Sequence, residues 1–253
     1  PISVDADNPT FSPTTGHAGT VVTITTDITD PFSNSPLSTV TLNGVVISPT
    51  NITFVSSTEL TVVIPCGSVS GQFIVDGGVP SVNTFNYIVP SVNPLADQIY
   101  CVDEGAVAVA LSGLPATPTD GVLEFLWSSS NASIGLNNPN PSVPVAEIPP
   151  FTPTNTTTEQ IFSTIRVTPT INGCDGPWKE YIITVNPRPI ANSIADIVVC
   201  AGELVPQIAL TASSPNLGTG TTFTWSGDNN VAIGLSTLSG SSSPIPQFTA
   251  TNT

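Results

Sequence analysis

An all-β chain of small sandwich domains strung one after another is what this sequence predicts, and three observations carry the prediction. The 26 Pro and 19 Gly are spread along the 253 residues, and no window holds the i, i+3, i+4, i+7 apolar stripe of a helix. Short, alternating, β-branched runs recur between turn residues instead, over 21–26, 40–47, 60–64, 73–75, 162–167 and 181–185. Finally, part of the chain repeats itself.

Within each run, alternation sends every second side chain to one face, as a half-buried strand requires. Asn43-Gly44 stands between Thr39-Val-Thr-Leu42 and Val45-Val-Ile47. That pair accepts positive φ at both central positions, so it predicts a two-residue hairpin. Shifted by about 98 residues, the chain matches itself in several blocks in the same order. Ala96-Asp-Gln-Ile-Tyr-Cys101-Val-Asp-Glu104 aligns with Ala195-Asp-Ile-Val-Val-Cys200-Ala-Gly-Glu203. Phe125-Leu-Trp127-Ser returns as Phe223-Thr-Trp225-Ser, and Ile134-Gly-Leu136 as Ile233-Gly-Leu235. Phe151-Thr-Pro-Thr-Asn155-Thr returns as Phe248-Thr-Ala-Thr-Asn252-Thr. The chain before about residue 90 lies outside the repeat and reads as a different module.

Val89-Pro-Ser-Val-Asn-Pro94 and Val185-Asn-Pro-Arg-Pro189 are the connectors. Proline fixes φ and cannot extend a ladder, so these are short, stiff joints. The expected domains are 1–90, 91–188 and 189–253. The third halts before equivalents of the strands at 162–167 and 181–185, which predicts an open edge and a core short of partners around Phe223, Trp225, Ile233 and Phe248. Further chain, or strands lent by another subunit, would complete it.

Acidic residues number 18 against Arg166, Lys179 and Arg188, a formal charge of -15. Nucleic acid needs the opposite field and is excluded as a partner. No run of about 18 apolar residues occurs, so no membrane insertion is expected in this segment. The chain contains no Met and opens on Pro1 without a leader-like stretch, so it reads as a mature or excised piece.

Pro9-Thr-Phe-Ser-Pro-Thr-Thr-Gly16-His-Ala-Gly19-Thr-Val-Val-Thr-Ile-Thr25, followed by Val40-Thr-Leu-Asn-Gly44-Val and Ser57-Thr-Glu-Leu-Thr-Val-Val-Ile-Pro65-Cys-Gly-Ser-Val-Ser-Gly71, resembles an IPT/TIG domain. It departs from that pattern at Cys66, where a small residue is more usual. Cys101, Trp127-Ser, Ile134-Gly-Leu136, Asn155-Thr, Asn172-Gly-Cys174 and Val185-Asn-Pro187 resemble the PKD-like repeats of giant Bacteroidota cell-surface proteins, gliding-motility adhesins among them. The resemblance implies tandem immunoglobulin-like β-sandwich domains arranged end to end, the last incomplete. It also implies type IX secretion, an extracellular place on the cell surface, and adhesion or a structural stalk without catalytic residues.

Cys101 and Cys174 lie at opposite ends of the second module, each near a strand terminus, and are expected to form a disulfide favoured by export. Two free thiols are the alternative. Cys200, the equivalent of Cys101, is then unpaired, and Cys66 is expected to be a buried small apolar residue. Clustered Cys-x-x-Cys pairs are absent, which argues against zinc. Trp127 and Trp225 share one strand position and read as core tryptophans rather than sugar platforms. Trp178, in a Gly-Pro-Trp-Lys-Glu turn, is the candidate surface contact. His17, the one histidine, reads as an exposed loop residue. Gly67-Ser-Val-Ser-Gly71 has Val69 where a nucleophile elbow needs serine. Asp27, Asp30, Asp103 and Glu104 read as solvated acids, and the sequon residues Asn51, Asn131 and Asn155 as unmodified turn residues. No cofactor is required, though Asp5 and Asp7 offer calcium the right oxygen ligands.

The leading reading is a non-catalytic structural or adhesive stalk segment. Its partners would be an extracellular surface, a polysaccharide or other copies of the same protein. An accessory spacer or carbohydrate-binding region of a secreted polysaccharide-degrading enzyme is one alternative. A fibre subunit completed by strand exchange is another.

Overall fold

The computed structural model describes residues 8–27, 31–118, 120–137, 139–213, 221–228, 230–237 and 239–252. Among these, every regular element is a strand except single 3-10 turns at Pro49–Asn51 and Ala132–Ile134. Alternation does the local work. In Val21–Thr25 it buries Val22 and Ile24, and in Glu59–Val63 it buries Leu60 and Val62.

The first sandwich packs a four-stranded sheet, ordered Thr10–Ser12, Val21–Thr25, Glu59–Val63, Ile52–Ser56, over a three-stranded one made of Val45–Val46, Val40–Leu42 and Phe73–Val75. Asn43 (φ 50°) and Gly44 (φ 78°) form the expected hairpin turn. Phe11 meets Phe73 edge-on with centroids 4.9 Å apart, and Phe85 completes the aromatic centre. Such pairs add about 0.5–1.5 kcal/mol beyond their burial.

The second sandwich is built around the sheet Gln98–Cys101, Lys179–Asn186, Ile161–Ile171, Glu124–Ser129, with Cys174–Asp175 returning on Ile161–Ile171. Ser91–Val92 with Gly113–Leu114, and Val109–Ala110 with Glu147–Ile148, supply two further ladders. Trp127 is buried among Ile134, Ile165, Val167, Tyr181, Ile183 and Val185, as the strand pattern predicts.

In the third, Ile190–Ala191 pairs with Ala212–Ser213, Leu204–Val205 with Phe248–Thr249, and Trp225–Ser226 with Ser239–Gly240. Local geometry repeats closely. Gly135 and Gly234 take φ of 101° and 97°, and at each an added Cβ would run into a carbonyl, Thr152 O or Thr249 O. Cys101 N donates to Glu104 Oε2 (2.8 Å), and Cys200 N to Glu203 Oε2 (2.7 Å). The core does not repeat. Among the described residues beyond 190, the buried apolar side chains are Val205, Leu235 and Ala250. Trp225, expected under a facing sheet like Trp127, is only half-buried, and its Nε1 donates to Ser242 O (3.2 Å). The reason is that the strands which cover Trp127 have no counterpart among the described residues.

Burial pushes the Tyr181 phenol well above its ordinary range, and Tyr100 nearby adds to the shift. Its Oη has no hydrogen-bond partner. The fold therefore favours the neutral phenol, while the unfolded chain ionises near pH 10. Stability is full below that pH and falls as pH rises above it, because the unfolded state then binds fewer protons. Urea midpoints should hold steady through neutrality and drop above about pH 10. Tyr181→Phe should shallow the drop and, by removing an unpaired hydroxyl, raise neutral-pH stability by about 1 kcal/mol.

Candidate functional site

Turn meets turn where the first two sandwiches join. Ile161–Ile171 ends in Asn172-Gly173, both at positive φ (50° and 75°), the conformation this dipeptide accepts. The chain reverses so that Cys174 pairs back on Ile171. In the first sandwich, Pro65-Cys66 follows the strand Glu59–Val63. Cys66 and Cys174 form a disulfide with Cα atoms 5.6 Å apart, inside the range the bond tolerates.

This corrects the expected Cys101–Cys174 pairing. Gln98–Cys101 runs parallel to Lys179–Asn186 and sets Cys101 beside Asn186. Cys174 lies before the other end of that strand, so about seven residues, roughly 23 Å of extended chain, separate the two positions. Cys101 is free and exposed, as is Cys200. Cys66 is exposed and bonded, not a buried small apolar residue.

The Asn172 amide adds a non-covalent bridge. Its Nδ2 donates to Ala18 O in the first sandwich and to Asp120 O in the second, each at 2.9 Å. Gly19 (φ 88°) and Gly121 (φ 113°) flank it, and a Cβ at either would collide with the Asn172 side chain. Glycine is thus required twice, by conformation and by space. His17 belongs to the same turn and is 2 % exposed, which overturns its expected exposure. Its backbone N donates to Thr20 Oγ1 (3.0 Å), Nδ1 donates to Ala18 O (2.9 Å), and Nε2 is buried without a partner. So placed, the imidazole serves the turn and has no access to a solvent-borne substrate.

The Pro-rich connector is packed as well. Val92 enters the second core, Asn93 Nδ2 donates to Ser112 Oγ (2.9 Å), and Pro90 O lies where a Cβ on Gly176 would sit. Backbone and disulfide together form two covalent tethers across one joint.

The remaining candidates stand apart from it. Trp178 is 50 % exposed, with the Arg166 guanidinium 4.1 Å from its ring centroid. Arg166 also binds Glu180 Oε1 through Nε and Nη2, both at 3.0 Å. Arg188 pairs with Asp103, and Glu104 accepts from Cys101 N. Asp5, Asp7 and Asp30 lie outside the described residues. Among the described residues no group of three or more His, Cys, Asp or Glu could hold a metal, and no helix is long and apolar enough to cross a membrane. Sequence reasoning missed Asn172 and the true partner of Cys174. The signal for the latter was Cys66 itself, a cysteine where the resembled pattern has a small residue.

Cys66→Ser with Cys174→Ser opens a loop of sequence separation 108. The chain-entropy account sets the loss at up to about 4.7 kcal/mol. Urea denaturation should show a lower midpoint for the first two sandwiches, and Asn172→Ala a further loss of about 1 kcal/mol.

No family model and no curated protein matches this chain. Solved structures similar to it are tandem immunoglobulin domains. An I-band fragment of titin is 16 % identical, over 86 % of this chain and 78 % of that one, at a TM-score of 0.31. The Sidekick-1 immunoglobulin domains 1–5 are 14 % identical over 84 % of this chain and 47 % of theirs, at 0.30. A Dpr2 and DIP-Theta complex of immunoglobulin domains is 12 % identical over 87 % and 79 %, at 0.31. At such low identities and TM-scores these likenesses say nothing of what this chain binds, and the sandwich architecture rests on the strand pairing described above.

Proposed function

We propose that this chain is a non-catalytic stalk segment of a large secreted bacterial cell-surface adhesin or surface filament, with modules at 1–90, 91–188 and 189–253. One observation carries the reading: two successive sandwiches are bolted together by a disulfide and an amide bridge at their joint. Catalysis gains nothing from such a joint, whereas a stalk that must hold its direction under load does. The residues resembling IPT/TIG and PKD-like repeats, and through them type IX export and gliding-type adhesion, support the bacterial surface assignment. The acidic, lysine-poor surface suits an extracellular partner without phosphates: a polysaccharide, an outer surface or further copies of the chain.

The clamp has a mechanical signature. When the chain is pulled from its ends, load crosses from Cys66 to Cys174 and bypasses the residues between them. Across a separation of 108 residues, single-molecule stretching should release about 360 Å less contour length in oxidising than in reducing buffer. Equal lengths in both would remove the basis of the stalk reading. Antibodies to this segment should label intact cells, and its deletion should weaken attachment to polysaccharide-coated surfaces.

A further inference from the structure

A groove of about 860 Å³ runs along the third module, lined on one side by Ile197, Val199 and Cys200 and on the other by Val205, Ile233 and Phe248. The repeat shows what fills the same space in the second module. Gln98–Cys101, the equivalent of 197–200, carries the parallel strand Lys179–Asn186, and Ile161–Ile171 lies on that strand's far side. Ile134 is 0 % exposed beneath these strands, while its equivalent Ile233 is 44 % exposed. Val198 is 95 % exposed, and 195–199 join no ladder among the described residues.

Two polar side chains are more telling than the apolar lining. In the second module Asp97 Oδ1 accepts from Ile182 N (2.7 Å), and Asn155 Nδ2 donates to Val185 O (2.9 Å). Both bonds serve only to seat the Lys179–Asn186 strand. Their equivalents, Asp196 and Asn252, are retained and line the groove. Neither hydrogen-bonds to another described residue.

We propose that this groove is a strand-acceptor site, and that its occupant is a β-hairpin supplied in cis, directly C-terminal to Asn252, with the pattern of residues 161–186. Its last strand lies parallel to 197–200, takes its amide anchor from Asp196 and its carbonyl anchor from Asn252, and buries alternate apolar residues on Ile233 and Phe248. The source follows from where such a hairpin occurs. Within a second copy, residues 161–186 are already the core of the second module, with Ile165, Val167, Tyr181, Ile183 and Val185 buried, so lending them would unfold the lender. The assignment does not depend on the stalk reading.

Appending residues 157–188 of this chain after Thr253, the equivalent of Thr156, in the full protein tests it. Amide exchange across 196–200 should slow by about tenfold or more relative to the unextended protein, and Trp225 emission should shift to the blue. Asp196→Ala and Asn252→Ala should each reverse part of that protection. The register provides a sharper reading. Cys101 stands opposite Asn186, so Asn186→Cys in the appended segment should crosslink to Cys200 and not to Cys101, whose neighbouring slot is filled. No protection and no Cys200 crosslink would overturn the acceptor site. An unextended protein that dimerises with 196–200 protected would overturn the cis source in favour of a second copy.

Discussion

The strand Lys179–Asn186 hydrogen-bonds along both its edges, antiparallel to Ile161–Ile171 and parallel to Gln98–Cys101. Its alternate residues Tyr181, Ile183 and Val185 enter the core over Trp127 and Ile134. A strand with partners on both sides satisfies its own backbone and that of two neighbouring edges at once. It therefore turns separate ribbons into one sheet with an inner face. The joint to the first sandwich depends on the same pairing, because Asn172 and Cys174 lie on the connection between Ile161–Ile171 and this strand. Only when those two strands are locked side by side is the turn held where Cys66 and Ala18 can meet it.

The second and third modules separate what neighbours along the chain decide from what distant strands decide. Gly135 and Gly234 adopt the same positive φ, Thr154 and Thr251 hydroxyls donate to equivalent carbonyls at 2.7 and 2.8 Å, and two acid side chains cap equivalent cysteine amides. These contacts need only the repeat's own loops. Burial of the tryptophan and of Ile134 or Ile233 needs a covering layer, and here the modules diverge. The loops are specified locally and the core is not.

Charge explains why the joint takes the form it does. With three basic residues in the chain, ion pairs cannot hold successive modules together. Arg166 is engaged with Glu180 and Trp178, and Arg188 with Asp103, all on exposed surface where such pairs contribute little. A covalent bond and a two-acceptor amide do not weaken with salt in the way surface ion pairs do. Such a joint holds across a range of ionic strength, and its disulfide persists where thiols are oxidised.

Alternation, turn chemistry and self-similarity settled a good deal without coordinates. The strands near 21–26 and 60–64, the Asn43-Gly44 hairpin, the burial of Trp127 and the shortfall in the third core all follow from patterns read within a few residues or between repeats. Of the joint, the sequence marked Cys66 as unusual and Asn172-Gly-Cys174 as part of the repeat-like pattern, and no more. Which thiol Cys174 meets, the burial of His17, the need for glycine at 19 and 121, and the half-exposure of Trp225 came from tertiary structure alone. Each depends on which edges lie side by side. The parallel pairing of Gln98–Cys101 carries Cys101 to the far end of the sheet and leaves Cys66 of the preceding sandwich as the thiol within reach.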